Sequence, residues 1–228
     1  MSDPLELALK DILAWVADDH SSVFAAESSV AEFFGWEPRE RLRMLTAAAV
    51  EALNRAGLVD IGVPQGGTDF LVDSSPPDAI GRRIYDEWDA DPYASQIANW
   101  MNITPLGEEV HGEGTREPLD QALRWAREAA ERRGLTVPTE PAPEQPRDDV
   151  ELRNVRDLPD GPDHAVAYHE RLRGGGVDVT PDGFDPNGVI TRLKDASFII
   201  WRPRSADGRP ALEFDIPSRG KVKLRYRG

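Results

Sequence analysis

The sequence predicts an α+β protein in two modules. A mainly helical N-terminal domain covers 1–135, a Pro-rich linker covers 136–160, and a small C-terminal domain of one helix and a four-stranded antiparallel sheet covers 161–228. Three observations predict this. Apolar residues recur at helical spacing through the first half of the chain. Residues 137–149 hold four prolines, two glutamates and no aromatic residue. Proline fixes φ and removes an amide donor, so an extended connector is expected there. Beyond it, short alternating runs separated by Gly and Pro form the pattern of antiparallel strands.

The N-terminal elements follow in order. Asp3 can N-cap a helix with Pro4 at its first position, and Leu5, Leu9, Ile12, Leu13 and Val16 form its apolar stripe. A second helix is expected from Val23 to Phe34. Pro38 starts a third, with Leu42, Leu45, Ala49, Val50 and Leu53 inward and Gly57 as its C-terminal stop. Leu58 to Val63 reads as a strand, Gln65 to Thr68 as a turn and Phe70 to Val72 as the return strand. Ser75-Pro76-Pro77 is a helix start. Ile97 to Ile103 is a further strand, Thr104-Pro105 opens a short helix, and Leu119 to Arg133 is an amphipathic helix closed by Gly134.

Helices followed by a small β-hairpin match the winged-helix pattern. Glu51-Ala52-Leu53-Asn54-Arg55-Ala56-Gly57-Leu58-Val59 resembles the third helix and first wing strand of such domains. Asn102-Ile103-Thr104-Pro105-Leu106-Gly107-Glu108-Glu109 resembles the strand-to-helix exit beside them. A DNA-reading helix needs outward Arg, Lys, Asn or Gln and basic flanks. Arg39, Arg41 and Arg43 stand at the start of the third helix, but Glu37, Glu40 and Glu51 offset them, and the wing Pro64 to Asp69 has no basic residue. A solvated helix start accounts for these arginines, and protein contact is favoured over duplex DNA.

In the C-terminal module Asp163 can cap a helix through Ala165, Val166, Tyr168, His169 and Leu172, ended by Gly174-Gly175-Gly176. Four strands follow: Val189 to Leu193, Phe198 to Trp201, Leu212 to Ile216 and Val222 to Tyr226. In the last, Val222, Leu224 and Tyr226 alternate with Lys221, Lys223, Arg225 and Arg227; in the one before, Leu212, Phe214 and Ile216 alternate with Glu213 and Asp215. Cross-strand ion pairing on a solvated face is the ordinary explanation of that charged set.

Composition narrows the classes. The chain carries a net charge of −14 and no cysteine, which excludes a disulfide scaffold, thiolate zinc sites and a cysteine nucleophile. Residues 1–164 hold 15 Lys and Arg against 33 Asp and Glu, a net −18, whereas 165–228 hold 12 against 8, a net +4. An acidic body repels nucleic acid and anionic membranes, and a basic end attracts polyanions or docks on acidic surface. Acidic residues stand where a signal peptide needs a basic segment, and no apolar run spans a bilayer, so a soluble cytoplasmic protein with no membrane partner is expected. There is no Walker loop, Rossmann fingerprint or His-Glu-x-x-His. His20 and His111 are isolated, and Asp86 to Asp91 lacks EF-hand spacing. No metal site and no cofactor are expected.

The C-terminal stretch resembles the C-terminal domains of bacterial polymorphic (secreted, contact-dependent) toxins. The residues that carry this are Gly176-Val177-Asp178-Val179-Thr180-Pro181, Phe198-Ile199-Ile200-Trp201-Arg202-Pro203-Arg204-Ser205, Gly208-Arg209-Pro210-Ala211-Leu212-Glu213 and Lys221-Val222-Lys223-Leu224-Arg225-Tyr226. The resemblance implies a small metal-independent ribonuclease with RNA as partner. Such cleavage needs a base for the 2′-hydroxyl, an acid for the leaving oxygen and cations for the phosphorane. His164 and His169 could supply acid and base, since histidine as a residue type titrates near neutrality, but they lie about 140° apart around a helix, so at most one, His169, joins the site. Arg202 and Arg204 would clamp phosphate, with Ser205 as a hydrogen-bond donor. Arg192, Lys221, Lys223 and Arg225 would bind the nucleic acid. The ordinary reading of each is a surface histidine or a strand-end arginine paired to Asp195, Asp207 or Glu213.

Three functions stay open. One is a toxin-type ribonuclease module fused to an acidic regulatory or immunity-like domain. The second is a non-enzymatic interaction protein, with a protein partner. The third is a winged-helix transcription regulator. Loss of RNA integrity, a stable protein partner and a salt-sensitive duplex DNA shift separate them.

Overall fold

The computed structural model describes residues 3–35, 38–66, 69–90, 99–113, 115–138, 155–158, 162–195, 197–205, 208–216 and 220–226. The fold is α+β, with seven helices and ten strands among those residues. The chain divides into two compact units, one of Met1–Gly62 with Val72–Arg147 and one of Val63–Leu71 with Asp148–Gly228. The segment Val63–Leu71, which contains the whole expected wing Pro64 to Asp69, therefore clusters with the second unit although it lies within 1–135.

In the first unit the helices are α1 (Pro4–Asp18), α2 (Val23–Phe34), α3 (Arg39–Arg55), α4 (Pro77–Ala90), α5 (Pro105–Glu113) and α6 (Arg116–Arg132). Asp3 caps α1, its Oδ1 accepting the Leu5 amide at 3.0 Å. The α1 stripe Leu5, Leu9, Ile12, Leu13 and Val16 is buried, as are Leu42, Leu45, Ala49, Val50 and Leu53 of α3. After α3, Gly57 takes φ 70°, and the Leu58 amide reaches back to the Leu53 carbonyl at 3.0 Å. This is the left-handed stop that a residue without Cβ allows. α3 packs on α6, where Ala122, Ala126, Ala129 and Ala130 form a buried small-residue face. Across that seam Glu51, 2% exposed, accepts from Arg133 at 2.8 Å and pairs with Arg132.

The first sheet has the order β1-β4-β2-β3, with β1 (Ser21–Ser22), β2 (Val59–Gly66), β3 (Asp69–Val72) and β4 (Trp100–Ile103). The two-residue β1 carries no strand pattern of its own and is defined by pairing antiparallel to Trp100 and Met101. The expected strand from Ile97 begins at Trp100, residues 97–98 lying outside those described. Of the arginines at the start of α3, Arg39 stays exposed as a solvated helix start implies, whereas Arg43 is held inside the unit. Arg43 is buried, pairs with Glu40 at 3.2 Å and stacks over Tyr85 at 4.1 Å, and Arg39 pairs with Glu27 at 3.5 Å.

The second unit holds α7 (Pro162–Leu172) and a six-stranded sheet, order β5-β10-β9-β8-β7-β6. Its strands are β5 (Val155–Leu158), β6 (Val177–Asp178), β7 (Val189–Arg192), β8 (Phe198–Arg202), β9 (Ala211–Ile216) and β10 (Gly220–Tyr226). The four expected strands are β7 to β10, and the sheet is larger by one at each edge. β5 runs parallel to β10, so it is non-local, and it turns the end of the expected linker into sheet; residues 139–154 lie outside those described. α7 starts at Pro162, so Asp163 stands in its first turn instead of capping it. Ala165 packs with Ile199, Trp201, Leu212 and Tyr226, joined by Tyr168, Leu172, Phe214 and Leu224. No helix among the described residues is long and apolar enough to cross a membrane.

Candidate functional site

The site is built by strand register. Lys223 stands opposite Glu213, and Glu213 opposite Ile200. One alternation along, Arg225 stands opposite Ala211, and Ala211 opposite Arg202. Arg192 stands opposite Phe198. Residues opposite one another share a face, and positions two apart on one strand share it too. Arg192, Arg202, Glu213, Lys223 and Arg225 therefore lie on one face. Ile199, Trp201, Leu212 and Tyr226, which pack with Ala165 of α7, lie on the other. Lys221 takes the register position opposite Asp215.

This charged face is not solvated. Glu213 is 0%, Arg202 1% and Lys223 2% exposed. The expected cross-strand ion pair is present, Lys223 Nζ lying 3.9 Å from Glu213 Oε1, but it sits among buried Ile190, Phe198, Ile200 and Ala211. Removing one partner of a buried pair costs about 3–5 kcal/mol, whereas a well-packed apolar set of similar volume is often as stable or more so. Arg192 and Arg225 are half-buried.

His169 lies on the opposite face. It is 3% exposed, and its Nε2 is 3.4 Å from Thr191 Oγ1. Thr191 stands opposite Ile199, on the side packed against α7. Asp178 stands opposite Thr191 and accepts from the Thr180 hydroxyl at 2.6 Å and the Thr180 amide at 2.9 Å. Burial and the Arg173 guanidinium hold the His169 imidazole below its ordinary 6.5, against the pull of Glu170 and Asp178. The Thr180 hydrogen bonds hold the Asp178 carboxyl below its usual range despite burial, helped by Arg173 and His169.

The remaining expected catalytic residues lie elsewhere. Ser205 is buried in a turn closed by Gly208 at φ 79°. Its hydroxyl donates to the Arg209 carbonyl at 2.8 Å, the carbonyl that also takes the Ser205 amide at 2.9 Å. Arg204 is exposed. His169 and Arg202 are thus separated by the sheet, and His169, Arg202, Arg204 and Ser205 do not converge. Of the residues expected to bind nucleic acid, Arg192, Lys223 and Arg225 share the face of Arg202. The side chain of Lys221, like that of His164, lies outside what is described.

Glu213 shares the buried charged face but was not among the residues expected for the site. Its alternation with Leu212 and Phe214 was visible, but its burial was not. Among the described residues no group of three or more His, Cys, Asp or Glu side chains could hold a metal ion. The chain matches no protein-family model, no curated protein and no solved structure.

Proposed function

We propose that the second unit is a toxin-type module that cleaves RNA without metal, carried by an acidic, winged-helix-like first unit that regulates it or confers immunity. One observation carries this reading: strand register sets Arg192, Arg202, Lys223 and Arg225 on a single face with the carboxylate of Glu213 among them. Cations for a phosphodiester and a group able to take a proton are the parts that such a reaction needs. The residues quoted above for the toxin resemblance supply four of these five strand positions. The order of helices α1 to α3 followed by the β2–β3 hairpin supports the winged-helix-like description, although most of the hairpin, Val63–Leu71, clusters with the second unit. Engagement of Arg39 and Arg43 by Glu27, Glu40 and Tyr85 argues against a duplex DNA role.

A second reading, a non-enzymatic interaction module, is favoured by the burial of Arg202, Lys223 and His169. The two part in one experiment. Purified full-length chain is incubated with single-stranded RNA in the presence of EDTA, beside a duplex DNA shift assay across a salt series. The ribonuclease reading expects cleavage that survives EDTA and leaves 2′,3′-cyclic phosphate ends. Intact RNA with a folded chain overturns it and leaves the interaction module. A salt-sensitive DNA shift would restore the transcription-regulator alternative.

A further inference from the structure

We propose that helix α7 is an acid-released latch: protonation of His169 detaches it from the sheet and opens the apolar face beneath it. The geometry is that of a closed seam with an ionisable group inside. Ala165, Tyr168, His169 and Leu172 recur at helical spacing and form one stripe of α7. Ala165 packs in that seam with Ile199, Trp201, Leu212 and Tyr226, joined by Tyr168 and Leu172. His169 is buried in the same stripe, its Nε2 3.4 Å from Thr191 Oγ1. Thr191 is held from behind. A Cβ at Gly176 would stand 2.5 Å from Thr191 Cγ2, so the methyl rests on that backbone and the stiff β-branched side chain keeps its hydroxyl at the imidazole.

The charged groups about the ring are Glu170 and Arg173 on the α7 side and Asp178 on β6. Glu170 is paired with Arg173 at 2.6 Å, and Asp178 accepts from Thr180. Strands β8, β9 and β10 bring Ile199, Trp201, Leu212, Phe214, Leu224 and Tyr226 to the cluster that holds Ala165, and Tyr226 is the one titratable group of that set. An imidazolium in the seam therefore meets an apolar floor and carboxylates that are already engaged. Burial and Arg173 favour the neutral ring. With α7 off the sheet the ring stands in water and takes the proton, so acid favours the detached form. The latch opens without the rest of the unit. The sheet is held by its own ladders. α7 has 11 residues, fewer than the roughly 12–15 a helix needs to persist alone in water. It exits through Gly174-Gly175, where an added Cβ meets nothing closer than 3.9 Å. Detached, α7 melts as a local unit and uncovers Ile199, Trp201, Leu212 and Tyr226. The latch is independent of the RNA-cleaving reading.

The test is amide hydrogen exchange of the full chain, read by mass spectrometry across pH and corrected for the intrinsic rate at each pH. Protection of the α7 amides is expected to be constant above 6.5. Below that it falls about tenfold per pH unit until the docked ring itself titrates, the slope of one proton taken up on opening. At every pH α7 is expected to be less protected than β9, because it opens alone. His169→Gln, which still offers Thr191 a hydrogen-bond partner, is expected to lose the slope. If that variant does not fold, the wild-type break near 6.5 carries the test, since free carboxylates titrate well below it. Flat wild-type protection through 6.5, equal protection of α7 and β9, or a folded His169→Gln with the wild-type slope overturns the proposal.

Discussion

Gly107→Ala tests how the first unit is closed. An added Cβ at this position would lie 2.1 Å from the Leu58 carbonyl oxygen and 2.8 Å from Ile103 Cγ1, so roughly 1 Å of opening is needed to reach the 3.0 Å floor of real Cβ contacts. The obstacle is backbone and is itself held: Leu58 O accepts the Thr104 amide at 3.1 Å, and Thr104 Oγ1 accepts the Gly107 amide at 3.0 Å. Overpacking of this kind costs about 1–3 kcal/mol, and weakening a hydrogen bond adds about 1 kcal/mol. The helix preference of Ala over Gly returns about 0.5–1 kcal/mol. The balance is a loss of about 1–3.5 kcal/mol, or roughly 2–14 °C in Tm for a chain of this size. Gly112→Ala is the matched control: it lies in the same helix, and nothing is within 4 Å of its added Cβ. It is expected to gain the propensity term alone. Both variants are melted as full chains, followed by far-UV circular dichroism and tryptophan fluorescence. A Gly107→Ala protein that melts at or above Gly112→Ala would refute the close-approach reasoning.

Two further outcomes follow from buried charge. Glu51→Ala leaves Arg133, 13% exposed, beside the place of its lost partner, and is expected to cost about 3 kcal/mol, read as a lower urea midpoint; Glu51→Gln should cost less because it retains an acceptor. For His169 the sign runs with pH. The folded imidazole is held below 6.5 by burial and Arg173, so the unfolded chain takes up the proton first as pH falls. Stability from this group is complete above 6.5 and is lost as pH drops from there toward the folded value. The difference in urea midpoint between wild type and His169→Gln should therefore narrow below pH 6.5 and stay flat above it, and a constant difference would rule this out.

Legibility differed by element for physical reasons. The second helix was readable to its ends, Val23 to Phe34, because Gly35 at φ 82° stops it. The stop after α3 was readable because Gly57 has few local alternatives. Strands β7 to β10 were readable because each is a short run rich in β-branched, aromatic or aliphatic residues bounded by turn residues, and β9 and β10 also alternate. β5 was not: four residues paired parallel to β10 need a partner chosen across a long connection. Neither was the true company of His169. Helical spacing separated it from His164, but only packing could set it against Thr191 on the side of the sheet away from Arg202.

By itself the sequence determined where most helices and strands lie, the α+β class, and which strand residues share a face, since alternation is a property of the local backbone. Tertiary structure alone decided what each face meets. Alternation of Lys223 and Glu213 with apolar neighbours says that two faces differ in chemistry, and says nothing of whether the charged one meets water. In the folded chain that face is buried, so an array that reads as a solvated ionic ladder becomes a desolvated cluster. Arg43 makes the same point in the first unit. Its charge places it on a surface, and Tyr85, brought from a distant helix, takes it inside. Local periodicity is written residue by residue, whereas burial is the sum of long-range contacts that no single segment encodes.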